Sequence, residues 1–187
     1  MEQVNQRGHK LLKKAGVLAC LWAGFAVYAA GQAVDPSLEY QVKAAFLLNF
    51  TKFIDWPPAA FATPDSPIAI CILGNDPFGR ILDEIVQGEA VNARKVIVQR
   101  MSQLPGPQVC QVVFTGSAEK DLPKTLGSLG RGVLTVGEGT KFLRDGGMIA
   151  FVIENRRVRF DVNQTAAGNA ELSLSSRMLS VARTVEK

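Results

Sequence analysis

Histidine is almost absent from this sequence. Of its 187 residues only His9 is a histidine, and it lies in an N-terminal segment that we expect to be removed. Ser-His-Asp and Cys-His nucleophilic systems need an imidazole as their base, and most zinc, copper and iron sites use one as a ligand. The shortage of histidine therefore argues against hydrolases of these types. We predict a protein with no catalytic residue, no cofactor and no metal site.

Excess positive charge is also lacking once the N-terminus is set aside. The whole chain has a formal charge of +4, with 21 basic and 17 acidic residues. Residues 1–33 contain four of the basic residues and one of the acidic ones, which leaves 17 basic and 16 acidic residues in the remainder. That remainder has no basic run and no interleaving of basic with aromatic residues. Nucleic acids are bound largely by neutralising phosphates, so we expect no nucleic-acid partner.

The N-terminus has the order of a secretory signal peptide. A basic region between residues 7 and 14 precedes an uninterrupted small and apolar run from Ala15 to Ala30. The run is too short for a comfortable membrane span but suits a signal sequence. Gly31 and Ala33 place small residues where a signal peptidase needs them. We therefore predict a signal peptide over residues 1–33 and one domain over residues 34–187.

Three other interpretations of this segment stay open. Cleavage after Ala29 or Ala30 fits nearly as well, because these residues are also small. An uncleaved segment would tether the same domain on the same side of the membrane. The run Val17-Leu18-Ala19-Cys20 has a faint similarity to a lipoprotein signal, although a long apolar stretch follows the cysteine. Each interpretation leaves the domain outside the cytoplasm.

Cysteine is scarce as well, which limits the possible disulfides. Cys20 leaves with the predicted signal peptide, so that only Cys71 and Cys110 remain. Exported proteins fold in an oxidising compartment, where an even number of cysteines favours a disulfide. Two buried free thiols are the alternative.

Apolar runs of strand length alternate with helical patterns through residues 34–187. The predicted helices are Leu38–Ile54, a segment from Pro77 to Ile85, Lys120–Leu129, Lys141–Arg144 and Ser175–Val185. The predicted strands are Ile68–Leu73, Lys95–Val98, Gln111–Phe114, Val133–Val136, Met148–Ile153 and Arg157–Val162. Alternation of this kind is typical of α/β layer structures. We predict a single-domain layered α/β sandwich with a mixed, mostly parallel sheet and an antiparallel hairpin late in the chain.

Local patterns add detail to this fold. Asp76 before a proline is expected to cap the second helix, and Ser175 is expected to cap the last one. In the last strand, alternation directs Arg157, Arg159 and Asp161 outward, with apolar residues directed inward between them.

The first predicted helix has apolar residues over a wide arc. At 100° per residue one side carries Val42, Ala45, Phe46, Asn49, Phe50 and Phe53, and Tyr40, Leu47 and Ile54 extend it. Such breadth indicates a helix that is covered on more than one side. Leu48 falls elsewhere, among polar residues and beside Ala44. We expect Ala44 and Leu48 to bind a partner, with Lys52 and Asp55 at the rim. A singly exposed leucine without a role is the alternative.

Two segments are candidate sites for an anion or another small ligand. Asn75 lies in the Gly74–Gly79 connection from a strand to a helix, a place where α/β sheets often bind anions. The connection lacks the pattern of a P-loop or a dinucleotide fingerprint. Arg156, Arg157 and Arg159 are a second candidate, because arginine recognises carboxylate and phosphate groups. A tight turn and solvated arginines, respectively, are the alternatives.

Four segments of the sequence resemble the YfiR family of periplasmic regulators. The first and most specific is the run from Tyr40 to Pro57, YQVKAAFLLNFTKFIDWP. The others are ICILGNDPFG at 70–79, the stretch from Gly146 to Phe160, and the stretch from Asn163 to Ser176. Together they are distributed along nearly all of residues 34–187, in the order in which the family has them.

This resemblance implies a periplasmic, non-enzymatic negative regulator. Such a protein binds the periplasmic sensing domain of an inner-membrane diguanylate cyclase and restrains cyclic di-GMP synthesis, and it is expected to form a homodimer. Cys71 and Cys110 fall where family members carry a structural disulfide, but the second cysteine pair of some members is missing here. A module that binds an unknown small molecule, or a regulator of a sensor kinase, is the alternative.

Overall fold

The computed structural model describes residues 36–116 and 121–187, which alternate between helices and strands. The helices there are α1 (Pro36–Lys52), α2 (Arg80–Val86), α3 (Leu122–Ser128), α4 (Thr140–Arg144), α5 (Gln164–Asn169) and α6 (Ser176–Val181). The strands are β1 (Ile54–Asp55), β2 (Ile68–Leu73), β3 (Ala90–Val91), β4 (Arg94–Met101), β5 (Val112–Thr115), β6 (Leu134–Glu138), β7 (Ile149–Glu154), β8 (Arg157–Asn163), β9 (Ser173–Leu174) and β10 (Thr184–Glu186). The predicted signal peptide, residues 1–33, lies outside the described residues.

Eight of these strands form one sheet, in the order β10-β8-β7-β6-β5-β2-β4-β3. Strands β4, β2, β5, β6 and β7 run parallel, whereas β8 is antiparallel to β7 across a hairpin. At the sheet edges, β10 lies parallel to β8 and β3 lies antiparallel to β4. Strands β1 and β9 pair separately. The predicted α/β fold, with a mixed, mostly parallel sheet and a late antiparallel hairpin, is confirmed.

The central strand β2 is buried on both faces, as its continuous apolar run predicts. All six of its residues are buried. Ile68, Ile70 and Ile72 join the large core cluster that also contains the buried side of α1. The alternate residues Cys71 and Leu73 join a second cluster on the opposite face. A strand that is covered twice has no polar face, which is why no alternation is visible in its sequence.

The connection from β4 to β5 crosses the second face of β2 without a helix. Strand β4 ends beside Leu73 and β5 begins beside Ile70, so residues 102–110 must run back across β2, which lies between them. We call this segment the strap. Cys110 is its fully buried residue, and it forms a disulfide with Cys71. The predicted pairing is therefore present in the structure.

Two glycines allow α4 to approach the sheet closely. A Cβ atom at Gly137 would lie 2.2 Å from the ring of Phe142, and one at Gly147 would lie 2.1 Å from it. Both distances are far below van der Waals contact, so any side chain at either position would displace the phenylalanine. The buried ring of Phe142 thus anchors α4 between β6 and β7.

The C-terminal prediction was partly wrong. Ser175 does cap the last helix, since its hydroxyl accepts a hydrogen bond from the Met178 amide at 3.2 Å. The helix ends at Val181, however, and Ala182 adopts an extended conformation. Thr184–Glu186 then forms β10 beside β8. Backbone pairing with a distant strand outweighed the helical pattern of this short segment.

The predicted outward position of Asp161 was also wrong. The residue is buried, and its carboxylate accepts two hydrogen bonds from Arg183. Burial alone would raise the pKa of Asp161, but Arg183 and hydrogen bonds from Thr184 together outweigh it and hold the pKa below its ordinary value. Because β10 continues the sheet beyond β8, a side chain on that face has a neighbour that the strand pattern does not reveal.

Asp76 does not cap α2 as expected, because the helix begins four residues later, at Arg80. Its carboxylate instead accepts hydrogen bonds from the Phe78 and Gly79 amides, at 2.8 and 3.2 Å. Arg100 of β4 donates to the other oxygen at 2.7 Å. Asp76 therefore stabilises the turn before the helix and ties it to the neighbouring strand.

Candidate partner-binding surface

The outer side of α1 presents an exposed apolar stripe. Leu38, Val42 and Phe53 are 56%, 38% and 37% exposed, and Ala45 and Asn49 lie between them. At 100° per residue the four helical residues fall within an arc of about 60°, and Phe53 follows one residue beyond the end of α1. Large apolar side chains that are exposed singly need no explanation, but several on one side of the molecule are typical of a protein-binding surface.

The N-terminal part of the stripe, Leu38, Val42 and Ala45, forms one wall of an open groove. Ile81 and Ile85 of α2 form the other wall, and both are half-buried. The groove has a volume of about 500 Å³, and Gln41 and Glu84 stand at its rim. An apolar floor with a polar rim is the usual composition of a site that binds another protein.

The opposite side of α1 is packed firmly on the sheet. Phe50 stacks on Phe151 at 5.9 Å between ring centroids and meets Phe160 edge to face at 5.1 Å. Phe46 contacts the same two rings, at 6.1 and 5.3 Å. These four aromatic rings fix the rotation of the helix, so the stripe is held outward by the packing beneath it.

A buried ion-pair cluster fixes the N-terminal half of α1. Lys43 is only 4% exposed and binds Glu39 and, at 2.5 Å, Glu138 at the end of β6. The Tyr40 hydroxyl donates to the same Glu138 carboxylate at 3.1 Å. Burial lowers the pKa of Lys43, but its hydrogen bonds to the two glutamates outweigh burial and raise the pKa overall. The pKa of Tyr40 is raised by burial and by the negative charge of Glu138.

The expected exposure of Ala44 and Leu48 was wrong. Their exposed fractions are 0% and 7%, and Leu48 belongs to the same apolar cluster as Leu82 of α2. This flank of α1 faces α2. Consistent with that position, the Lys52 ammonium binds the Glu89 carboxylate at 2.8 Å, and Glu89 follows the end of α2 by three residues. Lys52 and Asp55 are exposed as expected. A partner can therefore reach the rim of the predicted surface but not its centre.

The exposed stripe lies on the part of α1 that the periodicity assigned to the wide apolar arc. When the apolar arc of a helix is wider than its contact area with the rest of the protein, some apolar residues of the arc stay exposed to solvent. The sequence pattern alone does not identify which residues these are. The polar Asn49 between Val42 and Phe53 was the one signal in the sequence that this side faces solvent.

The other predicted site residues do not form one site. Asn75 is exposed after β2, whereas the arginines belong to the β7–β8 hairpin, and β5 and β6 separate these strands in the sheet. Arg156 and Arg157 are exposed at the hairpin end, and Arg159 is half-buried. The arginines are thus a surface of their own, without Asn75.

No cluster that suits metal binding occurs within residues 36–116 and 121–187. In the same ranges no helix is both long and apolar enough to cross a membrane.

Comparison with known families identifies a match along most of the chain. A family model described as YfiR/HmsC-like matches residues 40–183, which include most of α1, both cysteines of the disulfide and the arginine-containing hairpin. No curated protein matches the chain.

A solved structure shows a more distant similarity. It is described as a conserved domain protein from Vibrio cholerae O1 biovar eltor, and it is 9% identical in sequence, with a TM-score of 0.46. The alignment covers 79% of this chain and 60% of the other, so this chain spans less than two thirds of that protein's length.

Proposed function

The chain belongs to the YfiR/HmsC-like family, and from this membership we propose that it binds the periplasmic sensing domain of an inner-membrane diguanylate cyclase and restrains cyclic di-GMP synthesis. At the level of the family, the function is regulation of diguanylate cyclase signalling in the periplasm, and the family is regulatory rather than catalytic. In our proposal a cleaved signal peptide, residues 1–33, exports the protein.

The observation that carries the proposal is the apolar stripe of α1. A regulator without chemistry of its own acts through a contact surface, and Leu38, Val42 and Phe53 supply one. Burying such side chains in an interface releases water and contributes about 25 cal/mol for each Å² of apolar surface. A central apolar cluster with a charged rim, here Lys52 and Asp55, is the arrangement in which a few residues dominate affinity.

The proposed mechanism is a shift of the partner between two states. The regulator binds the inactive state of the cyclase domain more tightly than the active state, and it can shift the equilibrium only by that difference in affinity. Because α1 is held by four aromatic rings and a buried ion-pair cluster, the stripe does not have to be ordered when the partner binds. Less conformational entropy is then lost on association.

We also propose that the protein forms a homodimer. In this proposal the stripe binds the cyclase domain, and the second copy of the chain does not occupy it. The oligomeric state is measured first, by light scattering of wild type and of the variants below. A stripe substitution that abolishes cyclase binding while the oligomeric state stays unchanged supports the cyclase as occupant. Loss of self-association in the same variant would assign the stripe to the second copy instead.

The test compares two exposed valines. Val42→Arg changes the stripe, whereas Val181→Arg changes an even more exposed valine on α6, outside the stripe. Both variants should melt near the wild-type temperature. Val42→Arg should weaken capture of the cyclase periplasmic domain at least tenfold, because a charge would enter an apolar interface, while Val181→Arg should bind like wild type. Equal binding by all three proteins would refute the stripe as the binding surface.

The cellular test concerns the identity of the partner. Deletion of the gene should raise cyclic di-GMP and surface attachment, and deletion of the cyclase as well should abolish that effect. Cyclic di-GMP that stays unchanged in the single deletion, with the cyclase expressed, would leave a sensor kinase or a small ligand as the binding target.

A further inference from the structure

The end of the β7–β8 hairpin carries positive charge that the described residues do not neutralise. Arg156 and Arg157 have no ion pair or hydrogen bond from their side chains there, and Arg159 has only a 3.5 Å contact with the Val181 carbonyl. Several other arginines in the described ranges are ion-paired, for example Arg100 with Asp76 and Asp83, and Arg131 with Glu171. We call residues 153–159 the arginine hairpin.

The carboxylates nearest to these arginines are already engaged. Glu154 and Asp161 both bind Arg183, at 3.7 and 2.5 Å. With Arg183 counted, the hairpin strands carry four positive and two negative charges, so a net charge of +2 remains and is concentrated at the arginine end. Arginine without an internal partner keeps its donors available for an external anion.

The hairpin end is a tight two-residue turn. Asn155 and Arg156 both have positive φ, 49° and 60°, as in the two-residue turns that fit the twist of an antiparallel pair. The last cross-strand pair, Glu154 with Arg157, lies directly beside the turn. The guanidinium groups therefore project from a fixed backbone.

The two sides of the arginine hairpin differ in polarity. Strand alternation places Val158 on the opposite side from Arg157 and Arg159. Ile153 is the cross-strand neighbour of Val158, and it is 45% exposed although it is a large apolar residue. Because Ile153 and the arginines lie on opposite sides of the hairpin, both meet a lipid surface when the hairpin end approaches it, with the arginines at the headgroups and Ile153 at the boundary with the acyl chains. Binding to an acidic protein surface would use the arginines, but it would not account for the exposure of Ile153.

We propose that the arginine hairpin docks on the anionic phospholipid surface of the inner membrane, with Arg156, Arg157 and Arg159 on headgroup phosphates and Ile153 at the acyl boundary. Guanidinium groups bind phosphate oxygens in a bidentate manner, and each basic residue near an anionic surface raises affinity by about fivefold. The attachment is weak and reversible. Its relevance to regulation rests on the proposed function, since it places the protein beside a membrane-embedded partner and raises the local concentration.

The test needs no cyclase, so its failure is distinguishable from failure of the proposed function. The purified protein is sedimented with vesicles of phosphatidylcholine alone, or of phosphatidylcholine with about 30% phosphatidylglycerol, a fraction that produces an anionic surface potential. The test variant is Arg156→Glu with Arg157→Glu. The matched control, Arg80→Glu with Lys124→Glu, makes the same change in net charge at exposed positions on α2 and α3.

Wild type and control should bind only the phosphatidylglycerol vesicles, and binding should fall steeply at high salt. The double hairpin variant should lose at least about 25-fold in affinity, because the loss of two arginines accounts for about fivefold each and the two glutamates add repulsion from the anionic surface. Ile153→Ser should lower binding less, and millimolar inorganic phosphate should not displace the protein.

Three results would overturn the inference. The first is binding that ignores phosphatidylglycerol, and the second is equal loss in the hairpin variant and in the control. The third is a wild type that does not bind vesicles but captures a polyglutamate peptide through Arg156 and Arg157, because that result would assign the hairpin to an acidic protein partner.

Discussion

On one face of the sheet the cover includes the helix α1, which packs aromatic rings against the hairpin strands, whereas on the other face, over β2, it is the extended strap held by a disulfide. Phe50 and Phe46 each contact two rings of the hairpin strands. In the strap, residues 102–109 are exposed or half-buried, and Leu104 and Val109 are partly exposed to solvent. Burial of apolar area stabilises the first cover, and a covalent link stabilises the second.

This contrast shows why the two cysteines lie where they do. A crossover helix would bury apolar residues on the strap side of β2, but the strap is too short and too rich in proline and glycine to form one. Closing the chain between Cys71 and Cys110 restricts the unfolded state instead. The strap then stays in place although burial of its own apolar side chains contributes little free energy.

The largest effect is expected on the helix side. Phe50→Ala should lower the free energy of unfolding by about 3–5 kcal/mol, since it removes a fully buried ring from the centre of the aromatic cluster. Val42→Ala, on the exposed stripe of the same helix, is the matched control and should cost less than about 1 kcal/mol. Urea denaturation measures both, and similar losses would mean that the aromatic packing does not hold α1.

Removal of the disulfide is expected to have the next largest effect. The double variant Cys71→Ala with Cys110→Ala should be less stable by about 2–4 kcal/mol, the typical value for a loop of this length. The half-life of the wild-type bond in dithiothreitol should be long under native conditions, because both sulfurs are buried. Peptide mapping of non-reduced protein that found two free thiols would contradict the pairing.

The buried ion-pair cluster provides a test of the helix side that depends on pH. The pKa values of Lys43 and Tyr40 are raised in the folded state, so both groups hold their protons more tightly than in the unfolded chain. Their contribution to stability is complete below about pH 10, the ordinary value of these groups, and is lost as the pH rises through the folded-state values.

The measurement is the free energy of unfolding between pH 7 and pH 11. Lys43→Met should cost about 1–3 kcal/mol at pH 7, because Glu39 and Glu138 lose their partner, and it should reduce the decline in alkali. Lys124→Met, at an exposed lysine on α3, serves as the control. A decline as steep in Lys43→Met as in wild type would show that other groups cause it.

The smallest effect is expected at the exposed part of the strap. Leu104→Ser should change the free energy of unfolding by less than about 1 kcal/mol, because the residue is 43% exposed and belongs to none of the buried core clusters. A loss above about 1.5 kcal/mol would mean that the strap contributes by burial, and the contrast between the two covers would then fail. Thermal unfolding at one pH is sufficient to distinguish these outcomes.

Several of the elements compared above were predicted from the sequence. The continuous apolar run of β2 predicted a strand covered on both faces, and the β7–β8 hairpin was predicted with nearly correct ends. The cysteine pair was predicted from its count and from the compartment. The short strands β3 and β9 and the helix α5 were not predicted, since two-residue strands and a single helical turn have no periodicity to detect.

The candidate site was predicted less well than the fold. The sequence assigned α1 as a surface helix with a partner-binding side, but it placed Leu48 at the centre of that side, and Leu48 is buried. Its flank of α1 is covered by α2, a contact between elements about thirty residues apart. An apolar arc on a helix specifies which residues tolerate burial, not which of them a neighbour will reach.

The sequence by itself determined the features that depend on neighbouring residues. These are the alternation of helices and strands, the turn of the hairpin and the cap at Ser175, because period and local hydrogen bonding specify them within a few positions. Only the tertiary structure decided which side of α1 faces solvent, that Thr184–Glu186 becomes a strand, and that Asp161 is buried against Arg183. Each of these outcomes requires a partner distant in the chain, and a pattern within one segment carries no information about that partner.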